Sequence, residues 1–160
     1  MLIIGASMEP FVAFLLERGM KTLGIRMEKH NVNGIRIAEF LKSHVDVEKV
    51  FYPNLPDYSQ IKLRDKYLKV GSGGVITFIV EGGDERGLDF MHSLEVIKEA
   101  ASLGGVESLI SMPFNTSQLS LTEEERVKIG ILPGTVRLSC GIEDEADLIG
   151  DINQALAKTS

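Results

Sequence analysis

A single α+β domain, a largely antiparallel sheet with helices packed on one face, is what this sequence predicts. Three observations carry that reading. Short apolar runs at 47–51, 75–80 and 136–141 are bounded by turn-forming residues, as strands are. The longer stretches between them repeat apolar residues at helical spacing. In Val136–Ser139 the period is two: Val136 and Leu138 point one way, Arg137 and Ser139 the other. A length of 160 residues suits one domain with a real core.

The elements follow in order. Residues 1–9 read as the remnant of a segment between domains, and 10–160 as one domain. Pro10 fits the first turn of a helix. Leu16, Met20, Leu23 and Met27 then fall at steps of four, three and four, one stripe of a helix. Ile35, Ala38 and Leu41 extend a stripe to about Ser43. Gly19, Gly24 and Gly34 interrupt, and a break is expected near Asn31–Gly34. The methionines suit either an adaptable surface or core packing, the commoner use. A helix of this length exceeds what one small domain covers, so part of it is expected to pack on something else.

Val47–Phe51 reads as a strand ended by the turn-rich Tyr52–Pro56. A charged helix covers 58–69. Gly71–Gly74 leads into the strand Val75–Val80 and so reads as a turn, not a phosphate cradle at a helix start. Asp84 is a plausible cap for a helix over 85–94, followed by an extended piece over 95–100. Thr122 and Glu125 have capping-box spacing, and Gly130 ends that helix. The last helix starts near Asp144, with Ile149, Ile152 and Leu156 as its apolar stripe.

Composition excludes several functions. The net charge of −6 leaves no basic surplus for nucleic acid. One cysteine, Cys140, rules out an internal disulfide and a cysteine-rich zinc site, and reads as a core thiol. His30, His44 and His92 lie in separate segments without metal-ligand spacing, and each reads as a surface or helix-end residue. There is no GxGxxG and no P-loop lysine. No apolar run has membrane-spanning length and the start lacks a basic leader region, so no membrane partner and a cytoplasmic location are expected. The chemically pointed residue is Arg137. A guanidinium at the centre of a short, half-buried strand is either a structural ion-pair partner or a clamp for a substrate carboxylate.

Several segments together resemble one family. RGMKTLGIRMEKH (Arg18–His30), SLGGVESL (Ser102–Leu109) and TVRLSCGIEDEADLI (Thr135–Ile149) are similar to the C-terminal domain of pyridoxal-phosphate-dependent enzymes of cysteine and methionine metabolism. FYPNLP (Phe51–Pro56), the GSGG before a strand and TEEERVKIGI (Thr122–Ile131) also fit. Cystathionine gamma-synthase, the cystathionine lyases and methionine gamma-lyase belong to this family. The resemblance implies the small domain of an aspartate-aminotransferase-type fold. It implies that Arg137 grips the substrate α-carboxylate and that Ser102 lies beside the cofactor lysine and the substrate. Two departures concern substrate choice: Ala101 stands where cystathionine enzymes often have Glu, and Ser117–Gln118 where the family has a threonine–histidine pair.

The resemblance also sets what to expect of the chain by itself. The family's catalytic lysine lies in the large domain, and Lys21 is not that residue. No catalytic residue and no bound pyridoxal phosphate are therefore expected in this chain alone, nor turnover by it. The expected partner is a sulfur-containing or homoserine-type amino acid, with a separate large-domain chain as a further candidate. A homo-oligomer is also expected. The alternative is a non-catalytic remnant serving as a binding or oligomerisation module.

Overall fold

The computed structural model describes residues 7–160. Residues 1–6, most of the expected inter-domain remnant, lie outside the described residues. Helix α1 spans Pro10–Met20. Pro10 takes its first turn, and the Glu9 carboxylate caps it by accepting from the amides of Phe11 and Val12, each at 3.1 Å. Helix α2 spans Leu23–Ser43 and is continuous through Asn31–Gly34. The break expected there falls at Lys21–Thr22 instead. Gly34 is no breaker: the Gly73 carbonyl and the Tyr52 hydroxyl sit where a Cβ would be, so glycine permits a close approach.

The next elements are β1 (Val47–Phe51), α3 (Ile61–Tyr67), β2 (Val75–Val80), α4 (Gly83–His92), β3 (Lys98–Glu99) and β4 (Leu109–Ser111). A single 3-10 turn follows at Pro113–Asn115, then α5 (Glu123–Lys128), β5 (Thr135–Ser139) and α6 (Glu145–Lys158). The strands form one sheet in the order β1-β2-β5-β4-β3. All neighbours are antiparallel except β3 and β4, which run parallel. β4 was not foreseen, because three residues are too few to show a period. The helix expected over 58–69 is limited to the seven residues of α3, and the extended piece over 95–100 pairs only at β3.

One face of the sheet holds the core. Ile76, Phe78 and Val80 of β2, Val136 and Leu138 of β5, and Ile110 of β4 cluster with side chains of α2, α4 and α6. Ile37, Ala38 and Leu41 of α2 are fully buried there, as are Leu148, Ile152 and Leu156 of α6. The α6 stripe thus rests on Leu148, and Ile149 is only partly buried. By contrast, no residue of α1 is buried, and the stripe Leu16, Met20, Leu23 and Met27 is 41–55% exposed. Core packing of that stripe is therefore not what the chain does with it.

Two polar expectations need correction. Asp84 does not cap α4, whose N-cap is Gly82; its carboxylate instead accepts from the Gly134 amide at 2.7 Å. His30 is neither at the surface nor at a helix end. It is buried in mid-α2, with Nδ1 2.7 Å from the Cys140 carbonyl. Asp151, buried on α6, accepts from the amides of Glu95, Val96 and Ile97 at 2.8–3.0 Å and so fixes the turn into β3. His44 and His92 do lie at helix ends, and Thr122 and Glu125 form the reciprocal capping box.

Candidate functional site

The second face of the sheet carries the candidate site. Because strand side chains alternate, the residues paired in register with Arg137 share its face: Thr77 on β2 and Ser111 on β4. Ser139 lies one pleat further along the same face, between Val75 and Leu109. The loop after β3 covers this row. The Gly104 amide donates to Ser139 Oγ at 3.0 Å, and Arg137 Nη2 donates to the Ser102 carbonyl at 3.1 Å. Gly104 has φ +77°, a backbone setting that favours glycine. The fold thus brings Arg137 and Ser102 together, through the serine's carbonyl.

Two arginines on this domain behave in opposite ways. Arg86 commits its whole fork: Nε donates to the Thr159 carbonyl at 2.9 Å, Nη1 to Glu81 at 3.0 Å and Nη2 to Asp46 at 2.6 Å. That hydrogen bond from Arg86 holds the Asp46 carboxyl below its usual value. Arg137 makes one hydrogen bond, its Nε is buried without a partner, and no carboxylate lies within ion-pair distance among the described residues. The structural ion pair considered for Arg137 is found at Arg86, which its sequence context did not single out.

The covering loop is fastened at its far root. Glu143, between β5 and α6, accepts from the Ser108 amide at 2.6 Å and from Ser108 Oγ at 2.8 Å. Ser108 Oγ in turn accepts from the Gly141 amide at 2.8 Å. Neither Ser108 within SLGGVESL nor Glu143 within TVRLSCGIEDEADLI stands out by residue type or spacing. The signal was a carboxylate just beyond an arginine-bearing strand, which is weak alone.

Beside Ser139, a small hollow is lined by Met27, His30, Gly74, Val75 and Gly104. Cys140 borders it, and burial pushes its thiol up to about 12, so it is inert at neutral pH. Another hollow lies at the sheet edge between β1 and Tyr52–Ser59. Its lysines are engaged, Lys42 with Asp57 at 2.6 Å and Lys49 over the Phe51 ring, so it offers no comparable free donor. The groups around Arg137 suit an anion. They include no lysine: Lys21 is exposed on the α1–α2 corner and pairs with Glu17 at 3.5 Å. This donor set does not by itself fit pyridoxal phosphate, which needs an amine and a partner for its ring nitrogen. Among the described residues there is no group of three or more His, Cys, Asp or Glu that could hold a metal ion, and no helix is long and apolar enough to cross a membrane.

Fold and site together define an α+β unit presenting a guanidinium with unused donors on the face of its sheet opposite the core. Residues 1–157 match the model of the Cys/Met metabolism PLP-dependent enzyme family. The chain belongs to that family. It is 45% identical to a cystathionine gamma-lyase of Dictyostelium discoideum over 97% of its own length and 40% of the relative's. It is 44% identical to an L-methionine gamma-lyase of Treponema denticola, covering 96% of itself and 38% of that protein. Among solved structures it is similar to a Campylobacter jejuni protein assigned as an O-acetylhomoserine (thiol)-lyase and solved with N'-pyridoxyl-lysine-5'-monophosphate. There the TM-score is 0.87 and the identity 39%, over 96% of this chain and 37% of the other. The chain thus spans about two fifths of the length of the relatives it matches.

Proposed function

We propose that this chain supplies the substrate-carboxylate side of a pyridoxal-phosphate-dependent enzyme acting on sulfur-containing or homoserine-type amino acids. It is the small C-terminal domain of such an enzyme, and residues 10–160 form that unit. The observation that carries the reading is Arg137: a guanidinium on a rigid central strand whose donors the chain leaves largely unused. A carboxylate of an amino acid matches that fork, and the strand fixes its direction. Ser102 stands at the same place, beside the bound amino acid. The lysine that carries the cofactor is not among these residues, so the chain alone binds and orients and has no turnover. Activity requires the lysine-bearing remainder of the enzyme, in the same polypeptide or a separate chain, and the exposed apolar side of α1 and the start of α2 is the surface that supports such a contact.

The test is a titration of the chain with L-methionine and with the amine that lacks only its carboxylate. Binding should depend on the carboxylate and fall about ten- to hundredfold in Arg137→Ala, the effect of losing a charge-assisted pair. Equal binding of both compounds, or an unaffected variant, sinks the reading. The same apolar surface supports a second reading, a self-associating module without a catalytic partner. Sedimentation showing one monodisperse monomer at every concentration would remove it.

A further inference from the structure

We infer that Glu143 is a positioning residue for Arg137, acting through Ser108 and the loop 102–107. Its functional meaning rests on the carboxylate-binding reading above, while its geometry stands independently. Both oxygens of the Glu143 carboxylate face Ser108, which donates its amide at 2.6 Å and its hydroxyl at 2.8 Å. A carboxylate only accepts, so the hydroxyl donates to it and in turn accepts from the Gly141 amide at 2.8 Å. Ser108 is 1% exposed, so this is a satisfied, buried polar lock and not a surface contact. The backbone doubles it, with the Ile142 amide on the Val106 carbonyl at 2.9 Å. Asn33 on α2 ties the same turn down, donating to the carbonyls of Gly141 at 3.0 Å and Glu143 at 2.9 Å. Gly141 admits no side chain, because the Val106 carbonyl occupies the space a Cβ would need.

Residues 106–108 and 141–143 thus form one rigid clasp. The loop 102–105 extends from it and meets β5 through Gly104 on Ser139 and through Ser102 on Arg137. Glu143 is not among the ion-pair partners of any arginine in the described residues, so its effect on Arg137 runs through the loop and not through direct charge. The clasp fixes the Ser102 carbonyl, and that carbonyl fixes one arm of the guanidinium.

The test uses the full chain, labelled with nitrogen-15. Hydrogen exchange of the Gly104 amide and the position of the Arg137 Nε–Hε resonance are the readouts. In Glu143→Ala and in Ser108→Ala, Gly104 exchange should quicken about tenfold or more and the Arg137 resonance should move, while β2 and β5 core amides keep their protection. Glu143→Gln keeps the shape and one acceptor and should restore part of both. Should Glu143→Ala fail to fold, Ser108→Ala and Glu143→Gln carry the decision. The inference is overturned if Gly104 and Arg137 are unchanged, or if exchange quickens equally across the core, which would be a general loss of stability. Adding L-methionine separates the two claims: no movement of the wild-type Arg137 resonance sinks the carboxylate reading and leaves the Gly104 result to stand or fall alone.

Discussion

Arg137 and Arg86 show how one side chain serves two ends. Arg86 closes a knot between the start of β1 and the last turn of α6, and all its nitrogens donate. Asp46 has a folded pKa below its ordinary 3.8, held there by the hydrogen bond from Arg86. A depressed carboxylate contributes stability that is present above the unfolded value and lost as pH falls through the folded one. Urea midpoints should therefore separate wild type from Arg86→Met at pH 7, and the gap should close in acid below about pH 4. A gap independent of pH would show that packing, not the ion pair, is what Arg86 contributes. Cys140 gives another residue-scale expectation. Burial raises its thiol to about 12, so a disulfide reagent at pH 8 should leave the native chain unmodified and react after unfolding. Rapid modification of the folded chain would contradict the burial described here.

At the scale of elements, the two glycines of α2 make opposite predictions. Gly24 has open space where a Cβ would be, so Gly24→Ala should stabilise the chain by about 0.5–1 kcal/mol through helix propensity. Gly34 meets the Gly73 carbonyl and the Tyr52 hydroxyl, so Gly34→Ala should cost about 1–3 kcal/mol through overpacking. Thermal or urea unfolding of both variants checks the pair, and equal effects would contradict the continuous α2 described here. This was the limit of what the sequence made legible. Periodicity located the long strands, and Pro10 with the apolar spacing located both ends of the α1–α2 region, although α1 itself buries nothing. The pattern misplaced the break, because a glycine kept for a close approach 39 residues away in sequence, at Gly73, looks the same as a glycine that ends a helix. It missed β4 because pairing on both sides, not local pattern, makes three residues a strand. The alternation did place Arg137 on the face opposite Val136 and Leu138, whereas the Glu143–Ser108 clasp depends on contacts 35 residues apart and left no local trace.

For the whole molecule, the exposed apolar stripe from α1 into α2 and the largely unpaired guanidinium of Arg137 point the same way. Both are features that a self-sufficient domain of this size does not need. On the proposed reading they are the contact surface and the contribution of a small domain whose catalytic lysine sits elsewhere. The most direct measurement is of amino-acid elimination by the purified chain of verified mass. It would be assayed with pyridoxal phosphate, first alone and then with a lysine-bearing large-domain chain of the family. The account predicts the rate of free cofactor for the chain alone, recovery of activity in the mixture, and loss of that recovery in Arg137→Ala. Turnover by the chain alone well above the free-cofactor rate, or a mixture indifferent to Arg137, would contradict it.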